Sequence, residues 1–303
     1  MTERRYLYTF ENLIIMETDN LVTWRICRRK KNGCILLTAA GLALGYVFYG
    51  RFAARVFQPD DTRKTPAEVN SDGVDYVEMP TWKVFLVQLL NIAGTGPIFG
   101  ALMGAVFGPI VFLWIVFGCV LGGAVHDYFT GMISLRMNGT TIVDIVGSSL
   151  GVPAKHVLRF FAVLMLILAG TVFVTSPAKL LAMLTPGILN KNFWVVVILI
   201  YYVLATLLPI AHIIGRFYPI FSNFLILMIL MLAVGMFARG YTLPDVTLSN
   251  LHPDGLSPWP YMFITVACGA VSGFHATQSP LMACCIKMES DGRRVFYGAM
   301  ITE

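Results

Sequence analysis

The sequence is poor in charge. Only 13% of its 303 residues are Asp, Glu, Lys or Arg, about half the share of a soluble domain. One soluble core is thereby excluded. Signatures of several chemistries are missing as well. There is no P-loop to bind ATP, no HExxH and no paired-carboxylate signature. The six cysteines form no CxxC pair and no zinc spacing. Cys119 and Cys268 fall inside apolar runs, Cys284 and Cys285 are adjacent, and small buried side chains are the expected role. No cleavable secretory signal is visible, because the first apolar run begins late and lacks a small-residue cleavage site. The net charge of +5 is no nucleic-acid footprint, since the basic residues sit at the ends of apolar runs, as membrane topology requires. Neither a metal nor another cofactor is expected.

What is abundant is hydrophobic sequence, 57% of the chain with a mean hydropathy of +0.72. Runs of about twenty apolar residues, enough to cross the hydrocarbon layer, recur along it. The reading is an all-α polytopic membrane protein with about seven spans. They are placed at 34–57, 84–105, 109–131, 157–184, 193–214, 217–238 and 260–283. Residues 1–33 differ in kind, mixing charge with short apolar pieces and ending in a basic cluster, and are expected to be an atypical extension of a membrane domain at 34–303. Residues 295–303 read as the opening turns of another span, so a longer parent protein is expected.

Two spans carry residues that lipid cannot accommodate. The span at 84–105 contains AGTGPIFG, with Gly94, Gly96 and Pro97 together. Proline removes a backbone donor and glycine loosens the helix. The span at 260–283 contains CGAVSGFHATQSP, with Gly269, Ser272, Gly273, His275, Thr277, Gln278, Ser279 and Pro280. Discontinuous helices are expected near 91–100 and 268–280. Backbone freed by such breaks is tolerated only where protein or a water-filled cavity supplies partners. Secondary transporters place broken helices at matching positions of inverted repeats and bind substrate there. The competing reading is a Gly/Ser-rich packing seam that needs no ligand.

Charge sets an orientation. If residue 84 lies in the cytoplasm, that side carries Arg136, Lys155, Arg159, Arg216, Lys287, Arg293 and Arg294, against Lys179, Lys191 and Arg239 outside. The span at 34–57 must then start outside, in conflict with Arg28, Arg29, Lys30 and Lys31. An added N-terminal extension or the opposite orientation resolves the conflict. Among ionisable residues, His126 and Asp127 end the third span, where they form either a proton relay or a cap paired with Arg136. His275 sits deeper, inside the second break. His212 with Arg216 reads as interfacial, and His156 and His252 as loop residues without a role.

The stretch NIAGTGPIFGALMGAVFGPIVFLWIVFGCVLGGAVHDYFTG resembles the carbon starvation protein A (CstA) family, as do SDGVDYV at 71–77, ITVACGAVSGFHATQSP at 264–280 and GRRVFYGAMITE at 292–303. The likeness covers roughly residues 34–303. It implies an integral protein of the bacterial inner membrane, linked to uptake of peptides or pyruvate when preferred carbon runs short. It also implies kinship with transporters of the LeuT-like 5+5 inverted-repeat fold, of which this chain would hold a part, without helices 7–10. Residues 1–33 and Cys284, where the family has a basic residue, depart from the pattern. The second departure weakens any anion contact there.

The functional expectation is a secondary active transporter, coupled to protons, importing a small carboxylate or short peptide. Backbone amides from Gly94 to Ile98 and from Ser272 to His275 would meet the carboxylate. Asn91, Thr95, Gly96, Pro97, Ser272, Gly273, Phe274, Thr277, Gln278 and Ser279 complete the expected substrate site. His126, Asp127 and His275 are the protonatable group. A membrane-embedded enzyme using His126, Asp127 and His275, and a sensor that binds without flux, are the alternatives.

Overall fold

The computed structural model describes residues 33–186, 189–207, 210–239 and 249–303. Helices are the only regular structure among them, as lipid demands of chains whose backbone groups must pair within one segment. The protein is therefore a multi-pass membrane protein. Among the described residues, four helices are long and apolar enough to cross a membrane, or five if one bent pair is a single span, against the about seven expected from sequence. The N-terminal stretch expected to be an extension lies outside the described residues, apart from Gly33.

Helix α1 covers Ile35–Phe57 and is stopped by Gln58, in left-handed backbone with φ 56°. The broken span follows as α2 (Thr81–Ile92) and α3 (Thr95–Ala105), bent by 58° at Ala93 and Gly94. Helix α4 covers Ile110–Arg136. A short helix α5 (Ile142–Leu150) begins at Thr141, whose hydroxyl accepts from the Asp144 amide, a side-chain cap for one orphan donor. Long helices α6 (Val152–Leu184), α7 (Lys191–Leu207) and α8 (Ile210–Ala238) come next. The second broken segment is α9 (Pro258–Ala270) and α10 (Gly273–Ala283), separated by Val271 and Ser272. The last turns are a π turn at Arg293–Tyr297 and α11 (Gly298–Thr302).

Both expected helix breaks are present. Several boundaries differ from the sequence reading; the helix read as 193–214, for one, is Lys191–Leu207. The interruption expected near 215 is absent, and Ile210–Ala238 is one helix that contains Arg216 and accommodates Pro219. Charge alone suggested a loop there, while the helix is supported by apolar neighbours on both sides. The third span does not end at 131 but runs on to Arg136, so His126 and Asp127 lie inside a helix.

The ends of the spans sort onto two sides. Arg136 Nη2 donates to the Gln58 carbonyl at 2.7 Å, the Asp60 amide to Glu289 Oε2 at 2.8 Å, and the Met79 amide to the Cys285 carbonyl at 3.2 Å. These join the end of α1, the start of α2, the end of α4 and the segment after α10 on one side, called here the near side. On the far side the Leu251 amide donates to the Phe107 carbonyl at 3.1 Å.

The core is built from α2, α4, α10 and the last turns. Val84, Val87, Ile92, Tyr128, Met132, Phe296 and Tyr297 are all buried in one cluster. Helix α6 sits at the rim, with 6% of its apolar window buried, which leaves most of its Leu, Ile and Phe side chains for lipid. Two π turns face each other inside the bundle, Gly45–Tyr49 in α1 and Gly118–Gly123 in α4. A π turn disturbs the regular backbone ladder. The buried Tyr297 hydroxyl donates to the Val120 carbonyl at 2.9 Å, supplying a partner from a third π turn.

Helix α9 is held by glycines on two neighbours. A Cβ on Gly100 of α3 would stand 2.6 Å from the Thr265 carbonyl oxygen, and one on Gly123 of α4 would stand 2.1 Å from that of Ala270. Gly96, Gly100 and Gly104 recur every fourth residue and line this contact. Close approach through small residues is how helices associate where water gives no hydrophobic drive. Gly96, Gly100 and Gly104 thus form a small-residue contact face for α9.

Candidate functional site

Asp127 is fully buried on α4, one turn past the π segment. Its two oxygens face different histidines. Oδ1 lies 3.0 Å from Nδ1 of His126, its chain neighbour, and Oδ2 lies 3.0 Å from Nδ1 of His275. His275 is fully buried in the first turn of α10, just past the break. Its other ring nitrogen, Nε2, lies 3.6 Å from Glu303 Oε2 and has no hydrogen-bond partner among the described residues. The three protonatable residues named from sequence thus form one contact, although α4 and α10 are 148 positions apart at that pair. Glu303 joins them; it ends the family-like stretch GRRVFYGAMITE, but nothing in that stretch marked it as a partner of the histidines.

The cap reading of His126 and Asp127 is not what the structure contains. Arg136 pairs instead with Glu289, through Nη2–Oε2 at 2.8 Å and Nε–Oε1 at 3.1 Å. The guanidinium also lies 4.0 Å from the Phe57 ring centroid. Glu289 was missed from sequence because it sits in a short polar stretch that reads as a loop.

Three buried polar atoms without a hydrogen-bond partner lie on α10, at its start or against it. Gln88 of α2 is fully buried and donates through Nε2 to Ser279 Oγ at 3.3 Å. Its Oε1, the Ser272 hydroxyl and His275 Nε2 have no hydrogen-bond partner among the described residues. Such atoms cost free energy unless something else bonds them. Gln88 too escaped the sequence reading, as a single polar residue in an apolar helix.

The remaining named residues are distributed as follows. Asn91 is half-buried in the last turn of α2. Gly94 is the N-cap of α3. Gly96 and Pro97 approach α9, since a Cβ on Gly96 would lie 3.5 Å from Cys268 Sγ and one on Gly269 would lie 3.7 Å from the Pro97 Cα. The side chain of Thr95 lies outside the described residues. The Thr277 hydroxyl donates to the Phe274 carbonyl at 3.0 Å, within its own helix. Gln278 and Ser279 are buried on α10. The Ile98 amide bonds the Gly94 carbonyl at 3.4 Å and the His275 amide bonds that of Ser272 at 3.0 Å. These two amides are already in use. The earlier first-turn amides of α3 and α10 have no partner within their own helices.

Helix α6 covers both breaks. The Phe173 ring lies 5.1 Å from that of Phe274, and a Cβ on Gly94 would be 3.5 Å from Phe173 Cζ. A Cβ on Gly273 would collide with Met165 Sδ. Phe173 is held through its carbonyl, which accepts from the Tyr202 hydroxyl at 3.2 Å. In sequence Phe173 and Met165 are merely two more apolar residues of a long run. Among the described residues, no group of three His, Cys, Asp or Glu side chains is arranged to hold a metal.

Comparison with known proteins agrees with the motif resemblance. The family described as carbon starvation protein CstA matches residues 32–188 and 179–303. A protein of Haemophilus influenzae described as an uncharacterized membrane protein is 40% identical, over 86% of this chain and 85% of its own. The peptide transporter CstA of Helicobacter pylori is 28% identical, over 89% of this chain and 49% of its own length. The pyruvate/proton symporter BtsT of Escherichia coli is 28% identical, over 86% of this chain and 45% of its own. The chain thus spans about half the length of these two transporters. No solved structure matches it.

Proposed function

The chain belongs to the carbon starvation protein CstA family, and from that premise we propose that it serves secondary active transport of a small carboxylate or short peptide, driven by protons. The relatives named as a peptide transporter and as a pyruvate/proton symporter support transport and these two substrate classes. The observation that carries the reading is Asp127, buried between two imidazoles beside a broken helix. A proton taken up by this group neutralises a carboxylate or charges a histidine next to the substrate site. A charge change in so dry a place alters which packing of α4 against α10 is preferred.

The substrate carboxylate is taken by the free first-turn amides of α3 and α10. The positive ends of both helices favour an anion there. Ser272, whose hydroxyl lacks a protein partner, and Asn91, Gln278 and Ser279 add side-chain hydrogen bonds. In this reading α2–α3 and α9–α10 are the first helices of two inverted repeats of a LeuT-like 5+5 fold, in the bacterial inner membrane with the near side cytoplasmic.

The test is uptake of labelled pyruvate into sealed liposomes holding the protein, under an inward proton gradient, with and without excess dialanine. Gradient-dependent uptake unaffected by dialanine identifies a monocarboxylate importer, and uptake abolished by it identifies a peptide site. Substrate turnover in detergent without flux identifies the enzyme alternative, and saturable binding without flux a sensor. Either of these overturns the proposal.

A further inference from the structure

A groove of about 860 Å³ opens between α1, α2 and the last turns, away from the two helix breaks. Its near-side end carries Lys287, Asp291 and Arg294, and its far wall is apolar, with Ala43, Phe85 and Ile301. The position of the groove in the membrane follows from the spans. Thr81 starts α2, Phe57 ends α1 and Arg136 ends α4 on the near side, so Trp82 and Arg294 lie at that boundary. Ile301 is seven residues beyond Arg294, roughly 10 Å deeper at the helical rise. Trp82 is 56% exposed at the rim, the level at which tryptophan settles between headgroups and acyl chains.

Charge at this end is unbalanced. Asp291 is 6% exposed and accepts from the Thr81 hydroxyl at 2.7 Å. Lys287 pairs with Glu78 at 3.1 Å. Arg294 is exposed and has no ion pair among the described residues. Arg293 stands over the Tyr46 ring at 5.1 Å, and Lys83 over Trp82 at 5.6 Å. Basic groups thus outnumber Glu78 and Asp291 around the mouth.

We infer that this groove binds an anionic phospholipid of the near-side leaflet. Its phosphate is held by Arg294 and Lys287, and an acyl chain runs along Phe85, Ala43 and Ile301. The combination selects the ligand. A free phosphate gains nothing from the apolar wall. A zwitterionic headgroup brings its own cation against Arg293 and Arg294. A hydrocarbon chain without an anion leaves Arg294 unpaired.

The test is native mass spectrometry of the detergent-solubilised protein with phosphatidylglycerol or phosphatidylethanolamine. Phosphatidylglycerol is expected to be retained in roughly tenfold preference, and the double variant Lys287→Gln, Arg294→Gln to lose that preference, each basic group near a membrane surface contributing about one step of this size or less. Ala43→Trp keeps the charges and fills the apolar wall, and is expected to reduce retention of phosphatidylglycerol as well. Equal retention of the two lipids, or preference unchanged in both variants, overturns the inference. Full displacement by glycerol 3-phosphate also overturns it, as the mark of a soluble-anion site. Loss in the charge variant but not in Ala43→Trp overturns the groove as the place of binding. The readout is independent of whether the protein transports anything.

Discussion

Asp127 illustrates what a single position required of its surroundings. A carboxylate with no exposed surface is stable only with partners, and His126 and His275 are those partners. The two histidines are not equivalent. His275 is fully buried, whereas His126 is 31% exposed. Replacing His275 by Ala strips a buried oxygen of Asp127 of its partner and is expected to cost about 2–3 kcal/mol. His126→Ala strips the other oxygen, but at a ring that is itself 31% exposed, so water can take its place and a smaller loss is expected. Thermal unfolding in detergent checks the order, and equal losses would contradict it. From sequence, His126, Asp127 and His275 were recognisable because ionisable residues in apolar runs are rare. Gln88 and Glu303 were not, because only the packing of α2 and the last turns against α10 gives them their neighbours.

At the scale of elements, the glycines divide into those that a break needs and those that a contact needs. A methyl group on Gly100 or Gly123 would meet backbone oxygen of α9, which has no rotamer by which to move aside. Gly100→Ala and Gly123→Ala are each expected to cost about 1–3 kcal/mol as overpacking. Gly96→Ala places its Cβ at an ordinary 3.5 Å from sulfur and is expected to be tolerated. Comparison of unfolding midpoints decides, and a Gly96→Ala loss as large as that of Gly100→Ala would contradict the seam. The seam was written in the sequence as a four-residue repeat of glycine, but so was a helix break, and only the position of α9 separates Gly96, Gly100 and Gly104 from Gly94.

The near-side clasp is the second element-scale case. Glu289 is 1% exposed and accepts from both Arg136 and the Asp60 amide, tying three span ends together. Arg136→Leu leaves that carboxylate buried without its cation and is expected to cost about 3 kcal/mol, with earlier proteolysis of the segment around Asp60. The same loop is shaped by Asp72, whose carboxylate is held below its usual range by the backbone amide of Tyr76, then that of Val74. A depressed carboxylate contributes its order above the ordinary pKa and loses it as pH falls through the lowered one. The loop is therefore expected to hold at pH 7 and to loosen only once the pH has fallen below the ordinary aspartate range. Hydroxyl-radical footprinting of Tyr76, whose hydroxyl donates to the Asn138 carbonyl at 3.1 Å, reports it; unchanged labelling would contradict the assignment.

For the molecule as a whole, class and the two breaks were legible because composition and helix-breaking residues act locally. The missing interruption near 215 was not, because Arg216 stands within Ile210–Ala238 and a single arginine does not end a long apolar helix. Equally illegible was the covering of both breaks by α6, since Phe173 gains its meaning only from Gly94 and Phe274. If α6 occludes the substrate site, Phe173→Ala is expected to raise the KM for uptake several-fold while leaving the protein folded. An unchanged KM would remove that role.

The central claim is that Asp127 couples a proton to the substrate. The measurement that tests it most directly compares Asp127→Asn with the unmodified protein in sealed liposomes, in two modes. One mode is accumulation of labelled substrate driven by an inward proton gradient. The other is exchange of labelled for unlabelled substrate without a gradient. The account predicts that Asp127→Asn loses driven accumulation and keeps exchange. Driven accumulation that survives the substitution at the level of the unmodified protein would contradict it.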